Sequence, residues 1–224
     1  MNRTLTLAAM FVCSTLLVSP ANAWMITQAE PAPGTGLAES LVLPYDRDPG
    51  VDEFEIHKCF LYDGQPLLLT FTRQDGDQDT LEIVDEIILN MFTAQQRAWA
   101  NYHVLLEKDP VTGKEVAFID PGQATARQAS GGPTRLGGAP VSATATRIDW
   151  VTADPNEYVP YGSFSDAPDN QLVLRGLVID VSALATGDSF RLKQWPTTTP
   201  EPTIVALLYA GFALLALRRH ERGR

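Results

Sequence analysis

The sequence predicts an all-β protein. A single β-sandwich domain over residues 24–195 sits between an N-terminal signal peptide, residues 1–23, and a C-terminal segment, residues 196–224, that contains a transmembrane helix. Three observations predict this. Between Trp24 and Pro200 the apolar residues fall into short runs, several with a period of two, and none sustains a convincing helical period. Turn-forming clusters such as Asp63-Gly64 and Asp75-Gly76 divide those runs. Longer apolar stretches occur only at the two ends. No internal repeat is visible, which argues against a solenoid or a propeller.

Residues 28–50 are rich in Pro, Gly and acidic groups and read as a loose arm, with a short edge strand at Leu41–Leu43. Phe54–Tyr62 is the first full strand, closed by Asp63-Gly64. Leu67–Arg73 is the next, with Leu67, Leu69 and Phe71 on one apolar face. Leu81–Ala94 is ambiguous: Leu81, Val84 and Ile88 suit a helix, whereas Ile83, Ile87, Leu89 and Met91 suit a strand. Its β-branched content favours a strand with a bulge. Ala98–Leu106 alternates Ala100, Tyr102, Val104 and Leu106 against Trp99, Asn101, His103 and Leu105, the pattern of a central strand. Val116–Ile119 is short. Pro121–Pro140, with five glycines and three prolines, reads as a long mobile loop. Ala145–Val151, Leu172–Val181 and Ser189–Trp195 complete the set, with a second long loop over residues 153–171.

At the N-terminus, Arg3 precedes the mostly apolar Leu5–Val18, and Ala21-Asn22-Ala23 offers a small-residue cleavage site after Ala23. Met10-Phe11-Val12, ahead of Cys13, does not form a lipobox. Cleavage leaves Cys59 as the sole cysteine, so an intramolecular disulfide is impossible and the domain must rest on its core. The chain carries a net charge of −10. Its two ends hold five arginines against two glutamates, so residues 24–199 stand at −13. Such a domain is a poor nucleic-acid binder.

At the C-terminus, Pro200-Glu201-Pro202 is followed by an uncharged run of fifteen residues, Thr203–Leu217, and then by Arg218, Arg219, Arg222 and Arg224. As a helix the run rises ~22 Å, short of a ~30 Å hydrocarbon core. Arg218 and Arg219 can snorkel to close part of that gap, and the basic tail stays cytoplasmic. This three-part ending resembles the PEP-CTERM sorting signal. The resemblance implies a Gram-negative host and an exosortase as partner. The precursor would be anchored in the inner membrane, cut near the Pro-Glu-Pro, and then released or attached at the cell surface. Two internal stretches are also similar to that group of secreted proteins: Ile87–Phe92 ahead of Trp99-Ala100-Asn101-Tyr102-His103, and Gly187–Gln194 as closing strand. They agree with a sandwich and imply no activity.

The function expected is that of a secreted, non-enzymatic surface or extracellular-matrix protein. The alternative is a carbohydrate- or calcium-binding adhesin of an exopolysaccharide matrix. Calcium is the one cofactor the residues suggest. Asp75, Asp77 and Asp79 alternate, and Glu86 stands twelfth from Asp75, the carboxylate spacing of a calcium loop. Thr80 stands where such a loop turns on Gly, and a charged hairpin tip accounts for the same residues. Trp99 and His103 share a strand face by parity, an aromatic plane beside a polar group, as a glycan contact requires; a packed, hydrogen-bonded histidine is the plainer account. His57 and Cys59 also share a face, without a third ligand or an orienting acid at a recognisable spacing. Ser130 in Ala129-Ser130-Gly131-Gly132 is not a nucleophile elbow, and no catalytic residue is assigned.

Overall fold

The computed structural model describes residues 24–29, 38–45, 48, 50–60, 66–91, 98–128, 132–163 and 166–198. The signal peptide expected at 1–23, the Pro-Glu-Pro, the apolar run and the basic tail lie outside these residues. Among the described residues no helix is long and apolar enough to cross a membrane.

Strands β1 (Met25–Ala29), β4 (Leu67–Thr72), β13 (Ser189–Thr198), β6 (Trp99–Glu107), β10 (Arg147–Val151) and β9 (Ser142–Ala143) form the first sheet, in that order. The second runs β2 (Ala38–Tyr45), β3 (Asp52–Phe60), β5 (Thr80–Asn90), β11 (Gln171–Arg175) and β8 (Thr125–Arg127). There β12 (Leu177–Asp180) also pairs with β5, and with β7 (Ala117–Ile119) on its other side. The β3–β5 pair is parallel, and the other pairs are antiparallel. The protein is all-β, with two sheets sharing one apolar core in a sandwich-like arrangement.

The core follows from the period of two. In β4, Leu67, Leu69 and Phe71 are buried, and in β13, Phe190, Leu192 and Gln194. Phe71 stacks on Phe190 with centroids 5.0 Å apart, and Trp24 closes edge-on over Phe190 at 5.8 Å. Fully burying each such side chain contributes on the order of 1.5–3 kcal/mol. The β6 alternation buries Tyr102, Val104 and Leu106, and β6 lies inside the sheet between β13 and β10.

β5 breaks the alternation once. Leu81 and Ile83 point inward, Val84 and Asp85 do not, and Glu86, Ile88 and Asn90 are inward again. The register with β3 shifts at this point: Phe54 lies opposite Ile83, and Glu55 opposite Asp85. One extra residue reverses the parity of all that follow, so the bulge expected here turns Glu86 into the core. The partner strand bends at the same level. Gly176, at φ 75°, joins β11 to β12, and a Cβ there would stand 3.5 Å from the Ala124 Cα.

Two expectations need correction. The arm at 28–50 supplies a long edge strand, β2, in place of a three-residue one, and β1 begins ahead of it at Met25. The described part of 121–140 is pinned. β8 pairs with β11, and Ala124, Ala126 and Leu136 are buried. Arg135 is 7 % exposed, and its guanidinium donates to the carbonyls of Tyr158 (2.7 Å) and Asp169 (2.9 Å). Small residues and glycines hide their anchors because they leave no apolar period.

One carboxylate fastens the β6–β7 connection to the start of β13. Asp109 accepts from the amides of Ser189 (2.6 Å), Thr112 (2.7 Å) and Val111 (2.6 Å). These bonds, that of Ser189 foremost, hold its carboxyl at about 2, below the ordinary 3.8. Asp109→Ala should destabilise the fold by roughly 1.5–3 kcal/mol at neutral pH, the range for hydrogen bonds to a charged group. The folded value is depressed, so this contribution is complete above 3.8 and is lost as pH falls through about 2. Urea titrations of wild type and variant should therefore converge in acid. A gap that persists there would assign the loss to packing.

Candidate functional site

Glu86 and the carboxylates of the acidic turn after β4 point to different places. The loop is organised around a protein cation, Arg73. The guanidinium donates to the Asp77 carbonyl (3.1 Å), the Asp79 carboxylate (2.6 Å) and the carbonyls of Val181 (3.1 Å) and Leu184 (2.7 Å). Asp77 turns back to accept from the Gln74 amide at 2.5 Å, and burial, chiefly, pushes its carboxyl up. Asp75 is exposed, and Glu86 is fully buried on the inward face of β5. Among the described residues no group of three His, Cys, Asp or Glu side chains is placed to hold a metal ion. The four carboxylates of the calcium expectation are thus not gathered around one point in this structure. Arg73 directly follows β4, and its reach over the turn is the signal the carboxylate spacing concealed.

The Trp99–His103 pair is also taken apart. At β6 the register with β13 shifts, so that Thr197 faces Asn101 and Thr198 faces Trp99. Trp99 and Ala100 consequently both turn inward. Trp99 is fully buried, edge-on to Phe60 at 5.7 Å and 6.1 Å from the Tyr102 ring. His103 stays on the outer face, where the ring beside it is Trp195, directly opposite in β13. The two rings stack with centroids 5.0 Å apart. His103 Nδ1 donates to the Asp149 carboxylate at 2.7 Å, and that carboxylate also accepts from Arg147 Nε at 2.9 Å. The Arg147 guanidinium and the Lys193 ammonium lie 5.7 Å and 5.8 Å from the Trp195 centroid. A half-buried indole ringed by cations can stack a sugar and attract its acidic substituents. The sequence reading ended its last strand at Trp195 without assigning that indole a contact, because only the pairing of β13 with β6 puts it opposite His103.

His57 and Cys59 are not joined in a site. His57 is bonded to Glu55 on the outer face of β3, and Cys59 is buried.

The densest polar chemistry lies between the sheets. Parity puts Lys58 on the inward face of β3 with Phe54, Ile56 and Phe60. Glu86 comes in from β5 by the bulge, and Gln194 from β13 across the core. Lys58 is 3 % exposed, and Glu86 and Gln194 are fully buried. Lys58 Nζ donates to Glu86 Oε1 at 2.5 Å and to Gln194 Oε1, while Gln194 Nε2 donates to Glu86 Oε2 at 2.7 Å. The three groups close a triangle. Its walls are aromatic, with Nζ 6.0 Å from the Phe60 centroid and 5.7 Å from that of Tyr102. Burial pulls the Lys58 ammonium from 10.5 down to about 8, against the opposing pull of Glu86. The Tyr102 hydroxyl is pushed up by burial and by Glu86. No family model, no curated protein and no solved structure matches the chain.

Proposed function

We propose that this chain is a secreted, non-enzymatic protein of the cell surface or extracellular matrix, carried there by an exosortase that recognises its C-terminus. The observation that carries this reading is the ordered ending Pro200-Glu201-Pro202, Thr203–Leu217 and the arginines 218, 219, 222 and 224. Two further features support it. An all-β domain with a shared core precedes the ending, and its last strand, β13, runs to Thr198. In the sequence only Thr199 separates the end of β13 from the Pro-Glu-Pro. By residue type Pro202 suits a helix's first turn, and a span starting at Thr203 would hold the motif near the outer membrane surface.

In its host the mature protein is expected to lack Thr203–Arg224, and to lose that segment only when the exosortase is active. Intact-mass measurement of the surface-located protein decides this. Retention of Arg218–Arg224 in a strain with active exosortase would make the segment a plain anchor and overturn the sorting reading.

A second reading is that of a matrix adhesin, favoured by the Trp195–His103 stack with Arg147 and Lys193 around it. The ligand class that fits is an acidic exopolysaccharide, which stacks a sugar on the indole and pairs its carboxylates with the cations.

A further inference from the structure

The triangle between the sheets holds a nucleophile, an electrophile and a proton carrier in contact, away from water. We propose that Lys58 and Gln194 join in an intramolecular isopeptide bond, with Glu86 carrying the proton from the incoming amine to the departing one. In the first step the Lys58 ammonium gives a proton to Glu86 Oε1, which leaves a free amine lone pair on Nζ. That lone pair attacks Gln194 Cδ, one bond beyond the carboxamide oxygen Nζ already touches. The N–C bond forms and the carbonyl electrons move onto Oε1. A half-turn of the Glu86 carboxyl about Cγ–Cδ brings the protonated Oε1 into the place of Oε2, which contacts Nε2 at 2.7 Å. The proton passes to Nε2, leaving a carboxylate whose other oxygen faces Nζ and takes its second proton. The carbonyl re-forms, the Cδ–Nε2 bond breaks, and Nε2 leaves as ammonia. One amide replaces another, one ammonia leaves, and nothing is oxidised or reduced.

Three features favour reaction over a static ion pair. The bidentate placement of Glu86, one oxygen on each nitrogen, is what a single acid–base group needs to serve both ends of an aminolysis. Contact between amine and carboxamide inside a packed core supplies the proximity that makes such a step effectively unimolecular. Burial also disfavours the charged amine, so at neutral to mildly alkaline pH a useful fraction of Lys58 is the free nucleophile. The product removes a buried ammonium, which relieves part of the desolvation cost of the pair. The bond would tie β3 of one sheet to β13 of the other, in a domain whose lone Cys59 cannot form a disulfide within it. It does not depend on how the protein is sorted.

Tryptic digestion of the folded full chain tests this. Acylated Lys58 resists trypsin, so peptide 48–73 should be recovered joined to the peptide that begins at Gln194, at their summed mass less one ammonia. The joined species should be absent from chain kept in urea and should accumulate on refolding, with one ammonia released per chain. Glu86→Gln keeps the shape but not the proton transfer, and should slow joining by roughly 10²–10⁴-fold. Recovery of Lys58 and Gln194 only in separate, unmodified peptides from folded wild type would overturn the proposal, whatever the variants do. Equal joining in Glu86→Gln would overturn the role given to Glu86. Lys58→Arg should keep the charge and remain unjoined, with native circular dichroism.

Discussion

Glu86→Ala is expected to be among the most damaging single substitutions in the domain, at about 3–5 kcal/mol, the cost of leaving a buried charge without its partner. The reason is the position of Lys58. Its Nζ is enclosed by Phe60, Tyr102 and Gln194, and Glu86 is its charged partner there. Without Glu86 the charge that opposes burial disappears, and the folded ammonium falls further below 10.5. The folded state then releases a proton that the unfolded chain keeps up to 10.5, so stability must rise with pH across that interval. The variant should accordingly melt higher at alkaline than at neutral pH. The double variant Lys58→Met/Glu86→Ala should recover most of the loss and show no such rise. Thermal melts of both across pH 7 to 10, roughly the span between a strongly buried and a free lysine, supply the check. A loss within about 1 kcal/mol for Glu86→Ala would mean that the two side chains are not partners in the core.

This pair also marks where the sequence could be read and where it could not. Leu67, Leu69 and Phe71, like Tyr102, Val104 and Leu106, announce their strands because alternation alone decides which side chains face the core. Lys58 was legible by the same rule, since it shares the parity of Phe54, Ile56 and Phe60. Glu86 was not. Strict alternation from Leu81 puts it outside, and only the register shift at Phe54/Glu55 brings it in. A bulge could be expected from the mixed apolar pattern of β5, but its position depends on a partner strand some thirty residues away. Trp99 failed for the same reason, since the shift opposite Thr197 and Thr198 is set by β13. The acidic turn was ambiguous for a different one. Alternating carboxylates suit calcium or an arginine equally well, and only the fold shows that Arg73 reaches back over the turn. Local spacing can propose a ligand set, but the choice of cation belongs to the tertiary structure.

The two tryptophans that border these regions should respond in opposite ways. Trp99→Ala removes a fully buried indole packed edge-on to Phe60, and large aromatic truncations in a core cost about 3–5 kcal/mol. Trp99→Phe should recover much of it, because a smaller ring still fills most of the space. Trp195→Ala removes a half-buried ring from the outer face. It forfeits the stack on His103 and the attraction of Arg147 and Lys193, together about 1–2 kcal/mol. Binding should invert the order. If the outer face holds an acidic polysaccharide, Trp195→Ala should lose retention on an immobilised uronic-acid polymer while keeping its fold, and Trp99→Phe should bind as wild type. Equal retention by wild type and Trp195→Ala would remove this face from the adhesin reading. A third consequence follows from the position of Trp99 beside the aromatic wall of the Lys58 chamber, in contact with both Phe60 and Tyr102. A cavity there admits water next to the amine, which restores the solvation of its charged form and takes the nucleophile away. Trp99→Ala should therefore join Lys58 to Gln194 more slowly than Trp195→Ala does.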